Sequence, residues 1–401
     1  MKHWKHEIKN QKFIAALHAN SLAIIEKLVL SDKRAKMVVV EAGGVPVIVN
    51  NIERYTGKIA GGHGEILPDS GRSSSKKAHN RGAALSRTIS LSSATVQTVS
   101  SVTAQEQLVF TEQAIRALCA ISMDCPEGTG HIGEMGGIEA VVSAMRHYNA
   151  QDAILSEGCV TLRYLAFSEH NRARMVSCNA VDVIKQSLVR LQIEPLPTLN
   201  ALLALSNAIY MCPKNEALAV DSGCVEVISG VMSLHRANAE VQEIGCRVYQ
   251  NLAFHMAQSK KGSVRTTMLD SLRVTLIAFP ESRGVQLHGC AALVNLSEIY
   301  TKDLASHNLD AHLEGVVRRY ANDREIEEQA SILLSRIAEE KLNKSQKSTI
   351  SIITRALTGK STSSNPHGLR ASPSYSRSRT AGHQPFANPG NAPFLHDDQE
   401  E

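Results

Sequence analysis

The 401-residue chain carries 16 His and 8 Cys, enough raw material for catalysis or metal binding, and their spacing argues against both. A zinc site needs ligands that converge within one layer of structure, as closely spaced Cys pairs do. Cys159, Cys246 and Cys290 instead each follow a glycine, one per long repeat, where a small core residue is expected. Cys119, Cys125, Cys178, Cys212 and Cys224 show no ligand spacing either. There is no strand-turn-helix nucleophile motif, phosphate-cradling Gly loop or paired-His motif. Gly61-Gly-His-Gly follows no strand signal and lacks the Lys-Ser/Thr that phosphate binding requires, so it reads as linker. His255, His288 and His307 fall near helix ends, where solvated or capping roles are the default. No enzyme activity, cofactor or metal is expected.

The remaining positional signal is amide and aromatic. Asn207, Asn251 and Asn295 recur at one place in successive segments, and Tyr164 holds the same place in another. Arg247 stands four positions before Asn251, and Arg163 adjoins Tyr164. An asparagine in a groove can pair with the backbone of an extended peptide. The same side chain can also satisfy a loop or helix-end carbonyl inside the protein.

The elements that carry these residues emerge from self-similarity. Gly158-Cys-Val-Thr-Leu-Arg-Tyr-Leu-Ala, Gly245-Cys-Arg-Val-Tyr-Gln-Asn-Leu-Ala and Gly289-Cys-Ala-Ala-Leu-Val-Asn-Leu-Ser superpose without a gap. With looser copies at Ala114 and Ala201, the starts lie 44, 43, 44 and 44 residues apart, and a copy at Ala330 follows after 41. A second signature runs in phase through Gly137-Ile-Glu-Ala-Val, Ala180-Val-Asp-Val-Ile and Cys224-Val-Glu-Val-Ile, with a weaker copy at Ser271-Leu272. The longer step into that copy coincides with the polar run Gln258-Ser-Lys-Lys-Gly-Ser. Each unit is therefore predicted to hold two apolar-periodic helices, with Gly or Asn-Ala before one of them. Glycine at 158, 245 and 289 predicts a close approach of helix axes.

Ser21-Leu-Ala-Ile-Ile and Ala42-Gly-Gly-Val-Pro-Val-Ile extend the pattern backward across an interruption. The expected organisation is a partial repeat at 1–56, a disordered Gly/Ser-rich basic insertion at 57–104, an array at 105–340 and a mostly disordered tail at 341–401. Within the tail, Ile350 to Leu357 could form one more helix.

Gly136-Gly-Ile-Glu-Ala-Val-Val and Gly289-Cys-Ala-Ala-Leu-Val-Asn-Leu-Ser resemble the third and second helices of armadillo repeats. The resemblance covers residues 106–340 well and 13–55 in part. It implies an all-α, armadillo-type right-handed α-solenoid whose groove binds a protein or peptide partner as a scaffold or adaptor. The alternative it leaves open is a regulatory array controlling a catalytic partner such as a small GTPase or kinase. In the importin α adaptors of this family a Trp precedes each groove Asn by four positions. Here Leu203, Arg247 and Ala291 stand in that place, with Val160 likewise, which argues against nuclear-signal binding.

The net charge of +4 is too small for bulk nucleic-acid binding. No run approaches the roughly 18 apolar residues of a membrane helix. No secretory signal is read, so the thiols are expected to be reduced, in the cytoplasm or the nucleus. A monomer without nucleic-acid or membrane partners is expected. Arg146, His147, Lys185, Arg190, His235 and Arg236 follow the cores of successive second-signature helices and form either a basic strip or solvated helix ends. Arg87-Thr-Ile-Ser90 and Arg370-Ala-Ser372-Pro make Ser90 and Ser372 candidate phosphorylation sites.

Overall fold

The computed structural model describes residues 20–30, 32–56, 103–258 and 262–358. They fall into two compact units that divide after Arg174. All regular structure among the described residues is helical.

The first unit opens with α1 over residues 20–30, then α2 (Lys33–Glu41) and α3 (Gly44–Tyr55). It continues with α4 (Ala104–Ser122), α5 (Pro126–Glu134), α6 (Gly137–His147), α7 (Asp152–Leu165) and the start of α8 (Glu169–Ser177). The second unit holds α9 (Ala180–Leu191), α10 (Pro195–Ile209), α11 (Pro213–Asp221), α12 (Cys224–Leu234) and α13 (Ala239–Gln258). It ends with α14 (Gly262–Ala278), α15 (Arg283–Ala305), α16 (Asp310–Arg319) and α17 (Arg324–Thr358).

Each full repeat contains three helices where two were expected. The addition is a short first helix, α5, α8 or α11, of 9 residues each. It carries almost no apolar stripe, because side-chain hooks hold it instead. Thr129 Oγ1 donates to Ser122 O at 3.0 Å, Asn171 Nδ2 to Leu165 O at 3.0 Å, and Asn215 Nδ2 to Ala208 O at 2.8 Å. Each bond satisfies a carbonyl orphaned at the end of the preceding helix. The helix order that the resemblance implies for the two segments, third and second, is reversed. The 136–142 segment lies in the second helix of its unit, and the 289–297 segment lies in the third.

The first and second helices meet at a left-handed residue: Gly43, Gly136 and Gly223 at φ 76°, 78° and 85°, and Asn179 at 51°. This is the Gly or Asn seen before the second signature. Only those residues adopt the conformation at small cost. A parallel set of hooks closes the second-to-third turn. Thr198 Oγ1 donates to Leu191 O, Gln242 Nε2 to Met232 O, and Gln286 Nε2 to Leu276 O, at 3.0, 2.8 and 2.9 Å.

Second and third helices bury the apolar residues that the repeat signatures predict. Ile115, Leu118, Ile138 and Leu162 are buried in the first unit, and Leu202, Val225, Tyr249 and Leu293 in the second. The glycines at 158, 245 and 289 are where the axes close. A Cβ there would stand 2.5 Å from Met145 Sδ, 2.6 Å from Met232 Sδ and 2.7 Å from Leu276 Cδ2.

The helices on either side of residues 57–102 pack on one another. The Tyr55 and Phe110 rings lie 5.2 Å apart, and Tyr148 OH donates to Tyr55 O. Thr103 and Glu106 cap α4 reciprocally, which sets its start. The 57–104 expectation otherwise lies outside the described residues. Two boundaries differ from expectation. After Gln258 the chain resumes in a single helix, α14, with no break between first and second helices. At the other end α17 runs on to Thr358, so helix replaces the start of the tail expected at 341. The stretch at 350–357 belongs to α17 and is not a separate helix.

One titration is built into the last repeat. Burial, with the Arg319 charge added, holds His312 below its ordinary value of 6.5, and its Nε2 lies 3.1 Å from Gln286 Oε1. A histidine depressed in the folded state stabilises the fold above its unfolded pKa and loses that contribution as pH falls through the folded one. The thermal midpoint is expected to drop as pH falls below about 6.5. The drop should be smaller in His312→Gln, measured by circular dichroism between pH 7.5 and 5.

Candidate groove of the second unit

The third helices of the second unit, α10, α13, α15 and α17, pack side by side in order. Asn207, Asn251 and Asn295 sit on the first three. Asn207 is buried, while Asn251 and Asn295 are half-buried. Asn251 Nδ2 donates to Ser206 O at 3.0 Å, and Asn295 Nδ2 donates to Gln250 O at 3.3 Å. Arg336, in the same place on α17, donates from Nη1 to Val294 O at 3.0 Å. The rule is regular: each of these residues reaches the carbonyl just before its counterpart in the preceding third helix.

These bonds staple neighbouring third helices and fix the amide orientation. The Nδ2 groups of Asn251 and Asn295 are committed inward, while their Oδ1 atoms accept no hydrogen bond among the described residues. Arg336 holds the corresponding place in the copy starting at Ala330, so it belongs to this row although it is not an asparagine.

The surroundings are polar. Arg247 Nε donates to Ser206 Oγ at 3.1 Å, and His288 Nδ1 lies 2.8 Å from Gln250 Oε1. Burial raises the Glu243 carboxyl above its usual value, against the opposing charge of Arg247. Leu203, in the place where importin α adaptors carry Trp, is buried.

Arg163 and Tyr164 belong to the first unit and are both buried. The Arg163 guanidinium lies 5.4 Å from the Tyr164 ring centre. Tyr164 packs with Cys119, Met123, Val160 and Phe167. The structure therefore does not place Tyr164 in one unit with the Asn row. Also in the first unit, Arg116 bridges Glu112 and Glu157 at 3.2 and 3.1 Å.

Among the described residues no three His, Cys, Asp or Glu side chains converge as a metal site. All eight cysteines are free thiols. Burial pushes Cys119 and Cys290 up to about 12 and Cys224 to about 11. Such thiols are poor nucleophiles at neutral pH. The basic residues behind the second helices are largely engaged internally. Lys185 pairs with Asp182 at 2.8 Å and donates to Ser222 O, and His235 Nε2 lies 2.6 Å from Gln192 O. Ser90 and Ser372 lie outside the described residues.

Three helices per period of about 44 residues, a left-handed junction between the first two, and stacked third helices together define the repeat class. Three-helix units with this period are similar to armadillo repeats. No protein-family profile matches the chain. Vacuolar protein 8 of Schizosaccharomyces pombe is 25% identical over 154 residues, 38% of this chain and 27% of that protein. The chain thus spans about a quarter of that relative's length.

Among solved structures, an engineered protein is 21% identical with a TM-score of 0.47, covering 58% of this chain and 92% of its own. A chain from a structure of the cadherin and β-catenin interaction is 15% identical with a TM-score of 0.39, covering 73% and 57%. UNC-45 of Drosophila melanogaster is 14% identical with a TM-score of 0.34, covering 79% and 49%.

Proposed function

We propose that the chain is a non-catalytic protein-interaction scaffold that holds an extended partner segment along the third helices of its second unit. The observation that carries this is the orientation of Asn251 and Asn295, each with its amide nitrogens pinned inward and its oxygen left to accept from a partner N–H. Packed helices lie about 10 Å apart. An extended strand advances about 3.3 Å per residue, so neighbouring asparagines would meet every third residue of the bound segment. The polar lining from Arg247, Gln250 and Glu243 suits a segment of mixed charge. The 25% identity with Vacuolar protein 8 supports the armadillo-type scaffold.

Asn251→Ala with Asn295→Ala is expected to weaken partner binding in pull-downs about fivefold or more, since each lost hydrogen bond is worth roughly 0.5–1.5 kcal/mol. Thermal melts of the same proteins separate this from unfolding. Wild-type recovery by the folded double variant would move the site off these helices.

A further inference from the structure

The row of asparagines ends on a cation. Arg336 holds on α17 the place that Asn251 and Asn295 hold on α13 and α15, and its bonds follow the same inward rule. Nη1 donates to Val294 O at 3.0 Å and to Ser297 Oγ at 2.6 Å. Ser297 Oγ donates in turn to Val294 O at 2.8 Å, which leaves its lone pairs to accept from the guanidinium. Both hydrogens of Nη1 are thereby spent, and the guanidinium is fixed against α15.

What remains of the half-buried side chain is the edge formed by Nε and Nη2. That edge has no hydrogen-bond partner among the described residues and is open to solvent. No carboxylate among them pairs with Arg336, although Glu339 and Glu340 follow it by three and four positions. Arg265, Arg283 and Arg319 in the same unit each reach a carboxylate, at 2.9, 2.6 and 2.8 Å. The Nε–Nη2 edge offers two parallel N–H groups whose spacing matches the two oxygens of a carboxylate. Where Asn251 and Asn295 present an acceptor, the next place in the row presents a bidentate donor.

We propose that this edge is a subsite for one acidic side chain, Asp or Glu, of the segment held along the third helices. The inference rests on that groove reading and adds the chemistry of one partner position. Packed helices lie about 10 Å apart, and an extended strand advances about 3.3 Å per residue. A segment whose backbone N–H meets Asn295 Oδ1 therefore brings the residue three positions further on to Arg336. The asparagines read backbone, and the arginine reads a side chain. A phosphorylated side chain and a free C-terminal carboxylate share the recognised chemistry, and the test separates them from Asp and Glu.

The probe is a positional library of proline-free peptides of about nine residues, enough to span three helices. Both ends are capped, and each position in turn is Asp, Asn, Lys or phosphoserine; a second set leaves the C-terminal carboxylate free. Binding to the immobilised full chain is expected to favour Asp over Asn about tenfold at one position, the worth of a charge-assisted pair. N-methylation three positions away should weaken the same peptides, since it removes the N–H offered to Asn295. Arg336→Asn keeps the row's own residue, and with it a donor to Val294 O. The fold should therefore hold in thermal melts while the preference for Asp is lost. Asn295→Arg should create a second preference for Asp three positions from the first. Peptides that depend on Asn251 and Asn295 yet show no preference for Asp, or keep it in Arg336→Asn, would overturn the subsite and leave the groove standing. Selection of phosphoserine alone, or of the free C-terminus alone, would overturn the assignment to Asp or Glu. Binding that ignores Asn251 and Asn295 altogether would overturn the groove reading and the subsite with it.

Discussion

Gly245→Leu is expected to lower the stability of the second unit by about 1–3 kcal/mol or more, through overpacking. The Cβ alone would stand 2.6 Å from Met232 Sδ, and the branched remainder of leucine adds bulk at the same contact between α12 and α13. Alanine would be a poor probe at this site. Its Cβ would meet Met232 Cγ at 2.8 Å as well as Sδ, and the gain in helix propensity offsets part of that cost. Gly230 provides the opposite control. It is exposed on α12 with nothing within 4 Å of a Cβ, so Gly230→Ala should stabilise by roughly 0.5–1 kcal/mol. Chemical denaturation of the two variants reads both signs at once. Equal effects would mean that the repeated glycine reflects composition and not helix approach. Gly289→Leu, against Leu276, should behave as Gly245→Leu does.

Tyr249→Ala is expected to cost about 3–5 kcal/mol, as truncation of large buried residues does. Tyr249 is fully buried on α13, and its hydroxyl donates to Val225 O at 3.2 Å across to α12. Burial also raises its phenol pKa, so the ring stays neutral at physiological pH. Tyr249→Phe separates the two contributions. It keeps the ring volume and loses one buried hydrogen bond, roughly 0.5–1.5 kcal/mol. Urea melts in which the Phe variant falls as far as the Ala variant would place the stabilisation in the hydroxyl instead of the packing.

These two sites also show what was legible in the sequence. Gly158, Gly245 and Gly289 recur in phase, and the close approach they predict is what the structure contains. The second and third helices were visible because their apolar residues repeat with helical period. The first helices were not. Glu169–Ser177 reads Glu-His-Asn-Arg-Ala-Arg-Met-Val-Ser, and what docks it includes the Asn171 side chain, bonded to Thr129 O and Leu165 O. A single hooking asparagine leaves no periodic trace.

The candidate site was half legible. The positions of Asn207, Asn251 and Asn295 followed from counting. Their bonds depend on which carbonyl of the previous third helix comes within reach, and that is a property of stacking. The same stacking gives Arg336 an equivalent bond, although arginine looks nothing like asparagine in a sequence repeat. Tyr164 shares the register yet sits in the first unit beneath the Arg163 guanidinium, so register alone does not place a residue in a groove.

The central claim, that the third helices of the second unit hold the partner, is most directly tested with a photo-crosslinking residue at Ala291, four positions before Asn295 on α15. The account predicts crosslinks to one extended stretch of a partner protein, lost when Asn251 and Asn295 are both replaced by Ala. It predicts none from the same probe at Gly230 on α12. Equal crosslinking from the two positions, unaffected by the asparagine changes, would contradict it.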